Sequence, residues 1–182
     1  VLTVGRLVRR KGVDTVLRAL PAIAEACPDV TYLIAGTGPD RARLERLADR
    51  LGIQDRVHFV GQVDHDRLSL YYSAADLFVM PAREDPPDVE GFGLVFLEAN
   101  ACGTPVIGAR TGGIPDAVQD GETGLLVPPS APDRLAEAAL QVLTDPKWAG
   151  TLGRRGRRRA VHEASWTHIA DRIYDLLTSQ VA

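Results

Sequence analysis

Two carboxylates and two glycine-rich turns within residues 90–116 have the composition of a site for a ligand carrying phosphates and hydroxyls. Glu90 precedes the turn Gly91-Phe92-Gly93, and Glu98 lies in the apolar helix predicted to follow, while Thr111-Gly112-Gly113 precedes a second short helix. Helix N-termini present unpaired N–H groups and partial positive charge, and glycines let an anion approach the backbone closely. Two such termini with two hydrogen-bond acceptors predict the chemistry of a nucleotide sugar.

Arg6 and Lys11 stand five positions apart in a loop that follows a predicted buried strand. An arginine can bind a phosphate through two hydrogen bonds and a lysine through a point charge, so the pair could clamp a diphosphate. The same residues are equally compatible with a solvated basic loop, and their position alone does not decide between the two.

Other chemistries have weaker support in the residues. Eight helical positions between Glu90 and Glu98 span about 12 Å, which exceeds the roughly 5–9.5 Å between the carboxylates of a glycosidase pair. Gly36-Thr37-Gly38 lacks the third glycine of a dinucleotide fingerprint, there is no P-loop motif, and the four histidines lack metal-ligand spacing. The arginine cluster at 154–159 is interpreted as a solvated helix face rather than a nucleic-acid or lipid site.

Composition sets broader limits on the function. The chain has 182 residues, 45% of them hydrophobic and 25% charged, with a net charge of −3, so broad attraction to nucleic acid or an anionic membrane is not expected. No apolar run reaches the roughly 18 residues needed to span a bilayer. Cys27 and Cys102 have no partner spacing and are interpreted as reduced, buried thiols of a cytosolic protein. Because Val1 lies inside a strand-like run with no Met, we expect a piece of a longer protein.

Apolar runs alternate with helical periodicity along the whole chain, which predicts one α/β domain over residues 1–182 with a mostly parallel sheet covered on both faces. Pro21 is expected to bend or split the first helix, and Asp40 to cap the second. Trp148 and Trp166 are expected to anchor the last helices. The predicted strands are Val1–Val4, Val30–Ala35, Val57–Val60, Leu77–Met80, Pro105–Ala109 and Gly124–Val127. In such sheets the ligand lies outside the carboxyl ends of the strands.

These motifs together resemble one family, the retaining glycosyltransferases of the GT-B fold, group 1 (family 4), and in particular their C-terminal, donor-binding domain. The resemblance covers nearly the whole chain. It implies a Rossmann-like three-layer α/β/α sandwich, which is one half of a GT-B fold. The matching segments are VGRLVRRKG at 4–12, GTGP at 36–39, VHFVGQV at 57–63, EGFGLVFLE at 90–98, ACGTPVIGARTGGIPD at 101–116 and GETGLLVPP at 121–129.

The resemblance also implies roles for individual residues. Arg6 and Lys11 would bind the diphosphate, Glu90 would accept hydrogen bonds from the donor sugar, and Glu98 would hold the ribose hydroxyls. Arg6, Lys11 and Glu90 form the expected catalytic set, and neither a cofactor nor a metal ion is expected. The remaining residues expected to line the donor site are Gly5, Gly36, Gly38, Gly61, Gly91, Phe92, Gly93 and Leu94.

Within the family, Asp88-Val89-Glu90-Gly91 resembles phosphatidylinositol mannosyltransferases, so the donor is expected to be GDP-mannose or a UDP-sugar. The acceptor, a sugar, lipid or small molecule, would bind an N-terminal domain absent from this chain. The expected location is the cytoplasm, with the full-length enzyme at the inner face of the membrane, and no nucleic acid partner is expected. A nucleotide-sugar epimerase of the same fold and a non-catalytic nucleotide-sugar binding module are the alternatives.

Overall fold

Six strands form a parallel sheet at the centre of the molecule, and the predicted α/β architecture is confirmed. The computed structural model describes residues 1–86, 88 and 90–179. The strand order is β3-β2-β1-β4-β5-β6, so the direction of strand addition reverses between β1 and β4. All pairings within this sheet are parallel. The strands are β1 Leu2–Val4, β2 Tyr32–Ala35, β3 Val57–Gly61, β4 Phe78–Met80, β5 Val106–Ala109 and β6 Leu125–Val127.

Helices connect the strands and cover both faces of the sheet. Two short 3-10 turns, Arg9–Lys11 and Gln54–Arg56, precede α1 and β3 respectively. The helices are α1 Val13–Ala26, α2 Arg41–Arg50, α3 His65–Ala74, α4 Leu94–Ala101, α5 Ile114–Ala117, α6 Pro132–Leu143, α7 Pro146–His162 and α8 Trp166–Ser179. Among the residues that the structure describes, no helix is long and apolar enough to cross a membrane.

Alternate strand residues divide the apolar core into two layers. Tyr32 and Ile34 pack with α1, α2 and α6 on one face of the sheet. Leu2, Phe78 and Met80 pack with the apolar residues of α3, α4 and α5 on the other face. This division follows from the period of two along a strand and produces the predicted α/β/α sandwich. Trp148 packs at the edge of the first layer, whereas the side chain of Trp166 lies outside the described part of the chain.

The first helix is not split at Pro21, contrary to one of the two outcomes expected for it. α1 continues through Pro21 to Ala26. A proline removes one backbone donor, here the one that would reach the carbonyl of Leu17. Leu17, Leu20 and Ile23 are all buried on the core side of α1, so their packing on both sides of Pro21 outweighs the missing hydrogen bond.

Helix α7 lies very close to α4 because two glycines face it. A Cβ atom at Gly153 would lie 2.1 Å from the carbonyl oxygen of Gly103, and one at Gly156 would lie 2.5 Å from the side-chain nitrogen of Asn100. Asn100 is buried and donates to the carbonyls of Thr104 and Thr123, each at 3.2 Å. The carboxyl end of α4 is therefore held by backbone packing and by buried hydrogen bonds.

The arginine cluster on α7 is partly structural rather than only a solvated face. Arg157 donates to the carbonyl of Ala101, at the end of α4. Arg159 donates to the carbonyls of Asp116 and Ala117, at 2.7 and 2.6 Å, at the end of α5. Terminal carbonyls of a helix have no partner within it and carry partial negative charge, so these guanidinium groups stabilise both helix ends.

Replacing Gly153 with Ala is expected to lower the free energy of unfolding by about 1–3 kcal/mol, because the added Cβ forces α7 away from the backbone at Gly103. Urea denaturation followed by circular dichroism measures the change. Gly150→Ala is the matched control on the same helix, since its Cβ would meet only the flexible end of Arg154. That variant is expected to be neutral or more stable by up to about 1 kcal/mol. Equal effects of the two substitutions would contradict the close-packing argument.

Candidate functional site

The candidate site lies at the carboxyl ends of β1 and β4, where the strand order reverses. Parallel sheets form a crevice at such a point because the adjoining loops leave in opposite directions. The loop after β1 contains Arg6 and the 3-10 turn Arg9–Lys11, and the loop after β4 leads to Glu90 and the start of α4. The structure thus brings Lys11 to the first glutamate selected from the sequence, and Arg6 lies in the same loop as Lys11.

Glu90 is the residue at which three loops meet. Its Oε2 atom lies 2.8 Å from Lys11 Nζ and 2.6 Å from Arg10 Nη1. Its backbone carbonyl accepts a hydrogen bond from the N–H of Gly113 at 3.1 Å, in the second glycine turn. Only 8% of Glu90 is exposed, so the carboxylate is a buried anion neutralised by two cations.

Arg10 is a site residue that sequence reasoning missed. Three basic residues, Arg9, Arg10 and Lys11, stand consecutively in the sequence, and nothing in their order tells which of them point toward the crevice. The 3-10 turn rotates successive side chains by about 120°, and it directs Arg10 and Lys11 to Glu90 while Arg9 is exposed to solvent. The run of basic residues was the available signal, but the turn type was needed to interpret it.

Arg6 lies in the same loop as Lys11, with its side chain exposed. Within the described part of the chain, no hydrogen bond or ion pair joins its guanidinium to another residue. Lys11, by contrast, has a largely buried side chain paired with Glu90. The predicted diphosphate clamp therefore consists of one fixed cation and one solvated cation, and its binding role stays a prediction.

The amino end of α4 follows Glu90 closely in the chain. Gly93 caps this end with φ of 81°, and a Cβ there would lie 2.7 Å from the ring of Phe96, so only glycine fits. The N–H groups of Leu94 and Val95 begin the helix and have no preceding turn to bond. Phe92 and Leu94 are exposed at 37% and 51%, which leaves this helix end open to solvent.

Glu98 lies about one turn further along α4 and is half-buried, as the apolar sequence around it predicted. Its Oε2 atom accepts a hydrogen bond from the hydroxyl of Tyr72 on α3 at 2.8 Å. Burial and the neighbouring Glu98 carboxylate raise the pKa of Tyr72 well above its ordinary value, so the phenol stays protonated and is the donor. This contact fixes one carboxylate oxygen of Glu98.

The glycines predicted to line the nucleotide lie at neighbouring strand ends. The N–H of Gly36 donates to the carbonyl of Gly61 at 2.7 Å, and the N–H of Gly5 donates to the carbonyl of Ala35 at 2.9 Å. A Cβ at Gly36 would lie 1.9 Å from the carbonyl oxygen of Gly5. Gly36 is therefore required by close approach within the chain, whether or not a nucleotide also passes near it. Gly38 and Gly91 lie in the loops that follow β2 and β4 respectively.

A second charged network connects the turn Arg9–Lys11 with the loop after β4. The backbone N–H of Arg83 donates to the carbonyl of Arg10 at 2.8 Å, and its Nε donates to the carbonyl of Arg9 at 3.0 Å. The guanidinium of Arg83 is also paired with Asp14 on α1. These bonds hold the backbone of the turn without any ligand.

Asp40 does not cap α2 through its side chain as expected, although it stands at the N-cap position. Its two carboxylate oxygens instead accept hydrogen bonds from Arg43 Nε and Nη2, each at 2.6 Å. A charged, paired donor competes better for the carboxylate than a backbone N–H does. Hydrogen bonds from Arg43 hold the pKa of Asp40 below its usual range.

Asp40→Asn is expected to remove a pH-dependent contribution to stability. A lowered pKa in the folded state stabilises the fold above the unfolded-state pKa of about 4, and this contribution is lost as the pH falls through the folded-state value. The difference in unfolding free energy between wild type and variant should thus be constant near neutral pH and shrink below about pH 4. Urea titrations across this range measure it. Asp49→Asn, at an exposed position on the same helix, is the control for the substitution itself.

Tyr72→Phe is expected to lower the free energy of unfolding by about 1–2 kcal/mol, because the half-buried carboxylate of Glu98 loses its donor while the aromatic packing is kept. The ring of Tyr72 lies 5.6 Å from that of Phe78, and phenylalanine preserves this contact. Tyr71→Phe is the adjacent control, with no hydroxyl bond recorded in the described residues. A loss in the control as large as in Tyr72→Phe would show that the Glu98 contact contributes nothing.

Comparison with known proteins supports the resemblance inferred from the sequence. A family model described as glycosyl transferases group 1 matches residues 1–159. The GDP-mannose-dependent alpha-(1-6)-phosphatidylinositol monomannoside mannosyltransferase of Mycolicibacterium smegmatis is 38% identical over 182 residues, covering 99% of this chain and 48% of the relative. The chain thus spans about half the length of the curated relatives it matches.

Solved structures show the same fold. The sucrose-phosphate synthase of Thermosynechococcus elongatus superposes with a TM-score of 0.85 at 42% identity, covering 99% of this chain and 45% of that one. HepE of Anabaena, solved in complex with UDP and glucose, superposes with a TM-score of 0.85 at 27% identity, covering 98% of this chain and 47% of that one. The fold, the family model and the relatives agree, and the chain belongs to the glycosyl transferases group 1 family.

Proposed function

We propose that this chain is the donor-binding domain of a retaining glycosyltransferase that takes its sugar from a nucleoside-diphosphate sugar. The observation that carries the proposal is the convergence of Lys11 and Glu90 beside the open amino end of α4. A cation, a hydroxyl acceptor and a helix N-terminus in one crevice are what a donor with a diphosphate and a hydroxylated sugar requires.

The diphosphate is proposed to bind Lys11, Arg6 and the first N–H groups of α4. Breaking the bond between the sugar and the diphosphate leaves negative charge on the leaving phosphate. Positive groups fixed in place before the reaction stabilise that charge without reorganising. Lys11, Arg6 and the helix N–H groups supply this stabilisation in the proposed mechanism, and neither a metal ion nor a cofactor is part of it.

The sugar and the ribose are proposed to bind the two glutamates. Glu90 accepts hydrogen bonds from sugar hydroxyls, next to the backbone amides of Phe92 and Gly93. Glu98 accepts from ribose hydroxyls, while its Oε2 atom also accepts from Tyr72. Gly61 borders the base pocket at the end of β3, where a Cβ would meet no atom within 4 Å and the space is open.

GDP-mannose is the first candidate for the donor and a UDP-sugar is the second. The name of the M. smegmatis relative specifies GDP-mannose, and that protein matches nearly the whole of this chain. The UDP and glucose in the HepE complex support the second candidate. The named relatives are transferases and synthases, so neither the epimerase nor the non-catalytic binding module is adopted.

The acceptor is proposed to bind a second domain that this chain does not contain, as the half-length match to the relatives suggests. Transfer requires the acceptor hydroxyl to be held against the sugar, and such positioning contributes up to roughly 7–11 kcal/mol to lowering a barrier. A phosphatidylinositol mannoside is the acceptor that the M. smegmatis relative's name suggests. The cytoplasmic location and the membrane association of a full-length enzyme stay predictions.

Lys11→Ala is expected to weaken binding of the matching nucleoside diphosphate by about 1.5–3 kcal/mol, the contribution of a charge-assisted hydrogen bond. Arg6→Ala is expected to have a smaller effect in the same direction, because its side chain is solvated. Isothermal titration calorimetry with GDP and with UDP measures the affinities and also identifies the base. Arg18→Ala, an exposed arginine on α1, is the control. Unchanged affinity in both site variants would refute the diphosphate assignment.

A further inference from the structure

We propose that Arg10 is a positioning residue that keeps the Glu90 carboxylate in place when the donor's diphosphate takes Lys11 away from it. This inference rests on the proposed function of the site. Nothing in the resemblance assigns a role to Arg10, whose side chain is one of the two cations on the Glu90 carboxylate.

Both cations bind the same oxygen of Glu90. Arg10 Nη1 and Lys11 Nζ lie 2.6 and 2.8 Å from Oε2, and the side chains of Arg10, Lys11 and Glu90 are 26%, 12% and 10% exposed. A single cation would already neutralise a single carboxylate. Arg10 and Lys11 together therefore carry one more positive charge than Glu90 needs.

Donor binding changes this balance. A diphosphate that receives hydrogen bonds from Lys11 competes directly with Glu90 for that ammonium group. It also brings further negative charge close to a carboxylate that is shielded from water, and like charges at short range in such a place repel strongly. Without a second cation, the Glu90 carboxylate would turn away from the diphosphate, and it would then accept hydrogen bonds from sugar hydroxyls less well.

Arg10 is suited to supply that second cation. Its backbone carbonyl is held by the N–H of Arg83 at 2.8 Å, so the position of the turn does not depend on the ligand. A guanidinium keeps its charge at any pH at which the protein is folded, and its planar array of donors favours carboxylates. Lys11 is then free to follow the phosphate while Arg10 remains on Glu90.

The competing interpretation is that Arg10 itself binds the diphosphate. The two interpretations differ in which ligands bind more weakly when Arg10 is replaced. A residue that binds the diphosphate directly would contribute equally to the affinity for a nucleoside diphosphate and to the affinity for the corresponding nucleotide sugar. A residue that acts through Glu90 would be needed for the nucleotide sugar alone, because only that ligand carries the hydroxyls that Glu90 accepts.

The experiment compares Arg10→Gln, Lys11→Gln and Arg9→Gln by calorimetry with GDP and GDP-mannose, and with UDP and UDP-glucose. Arg9 is the matched control, since it lies in the same turn and is exposed. For whichever pair binds, Arg10→Gln is expected to lower the affinity for the nucleotide sugar about tenfold and the affinity for the nucleoside diphosphate less than about threefold. Lys11→Gln is expected to lower the affinity for both ligands. Arg9→Gln is expected to change neither affinity. Arg10→Lys should restore most of the affinity for the nucleotide sugar, because it keeps the charge.

A double-substitution test separates positioning from direct contact. In a Glu90→Gln background, Arg10→Gln is expected to cause no further loss, since Arg10 acts only through the Glu90 charge. Equal losses for the sugar and the diphosphate, or a full additional loss in the Glu90→Gln background, would overturn the inference about Arg10. If Lys11→Gln changes neither affinity, or if the wild type binds neither pair, the proposed function fails and this inference falls with it. If Lys11→Gln weakens both ligands while Arg10→Gln behaves like Arg9→Gln, only the inference fails.

Discussion

The crevice is organised around one buried anion, the carboxylate of Glu90, and its two cationic partners. A carboxylate removed from water must be paired, and this one is paired with both Arg10 and Lys11 in the loop after β1. The same residue is bound through its backbone to Gly113 in the loop after β5. Ion pairing thus joins two loops at this edge of the sheet, and a backbone hydrogen bond adds the third. In the proposed function, the diphosphate competes with Glu90 for Lys11, one of these two cations.

Much of this arrangement could be predicted from the sequence because it depends on local patterns and on one topological rule. Buried parallel strands are continuous apolar runs, such as Val106–Ala109, and the residues after them lie at the same edge of the sheet. That rule places Lys11 and Glu90 near each other although 79 positions separate them. The half-buried state of Glu98 likewise followed from its apolar neighbours in the sequence.

The contacts that could not be predicted depend on the direction of a side chain or on competition between hydrogen-bond donors for one acceptor. Arg10 reaches Glu90 because a 3-10 turn rather than an α-helical one follows β1. Tyr72 reaches Glu98 from another helix, and no spacing in the sequence encodes that meeting. The helix through Pro21 remained whole because buried neighbours on both sides outweigh one lost hydrogen bond. The carboxylate of Asp40 turned to Arg43 because a charged donor outcompetes a backbone amide.

Helix α4 has partners of different kinds at its two ends. Its carboxyl end is anchored by the close approach of Gly153 and Gly156 and by the guanidinium of Arg157, all from α7. Its amino end is open to the crevice. Helix α4 is therefore held in place at its carboxyl end, and a ligand at its amino end is not needed to position it. In the proposed function, a substitution at the exposed Phe92 can therefore change how the donor is recognised without loosening the helix, whereas Gly93 is fixed by its close approach to Phe96.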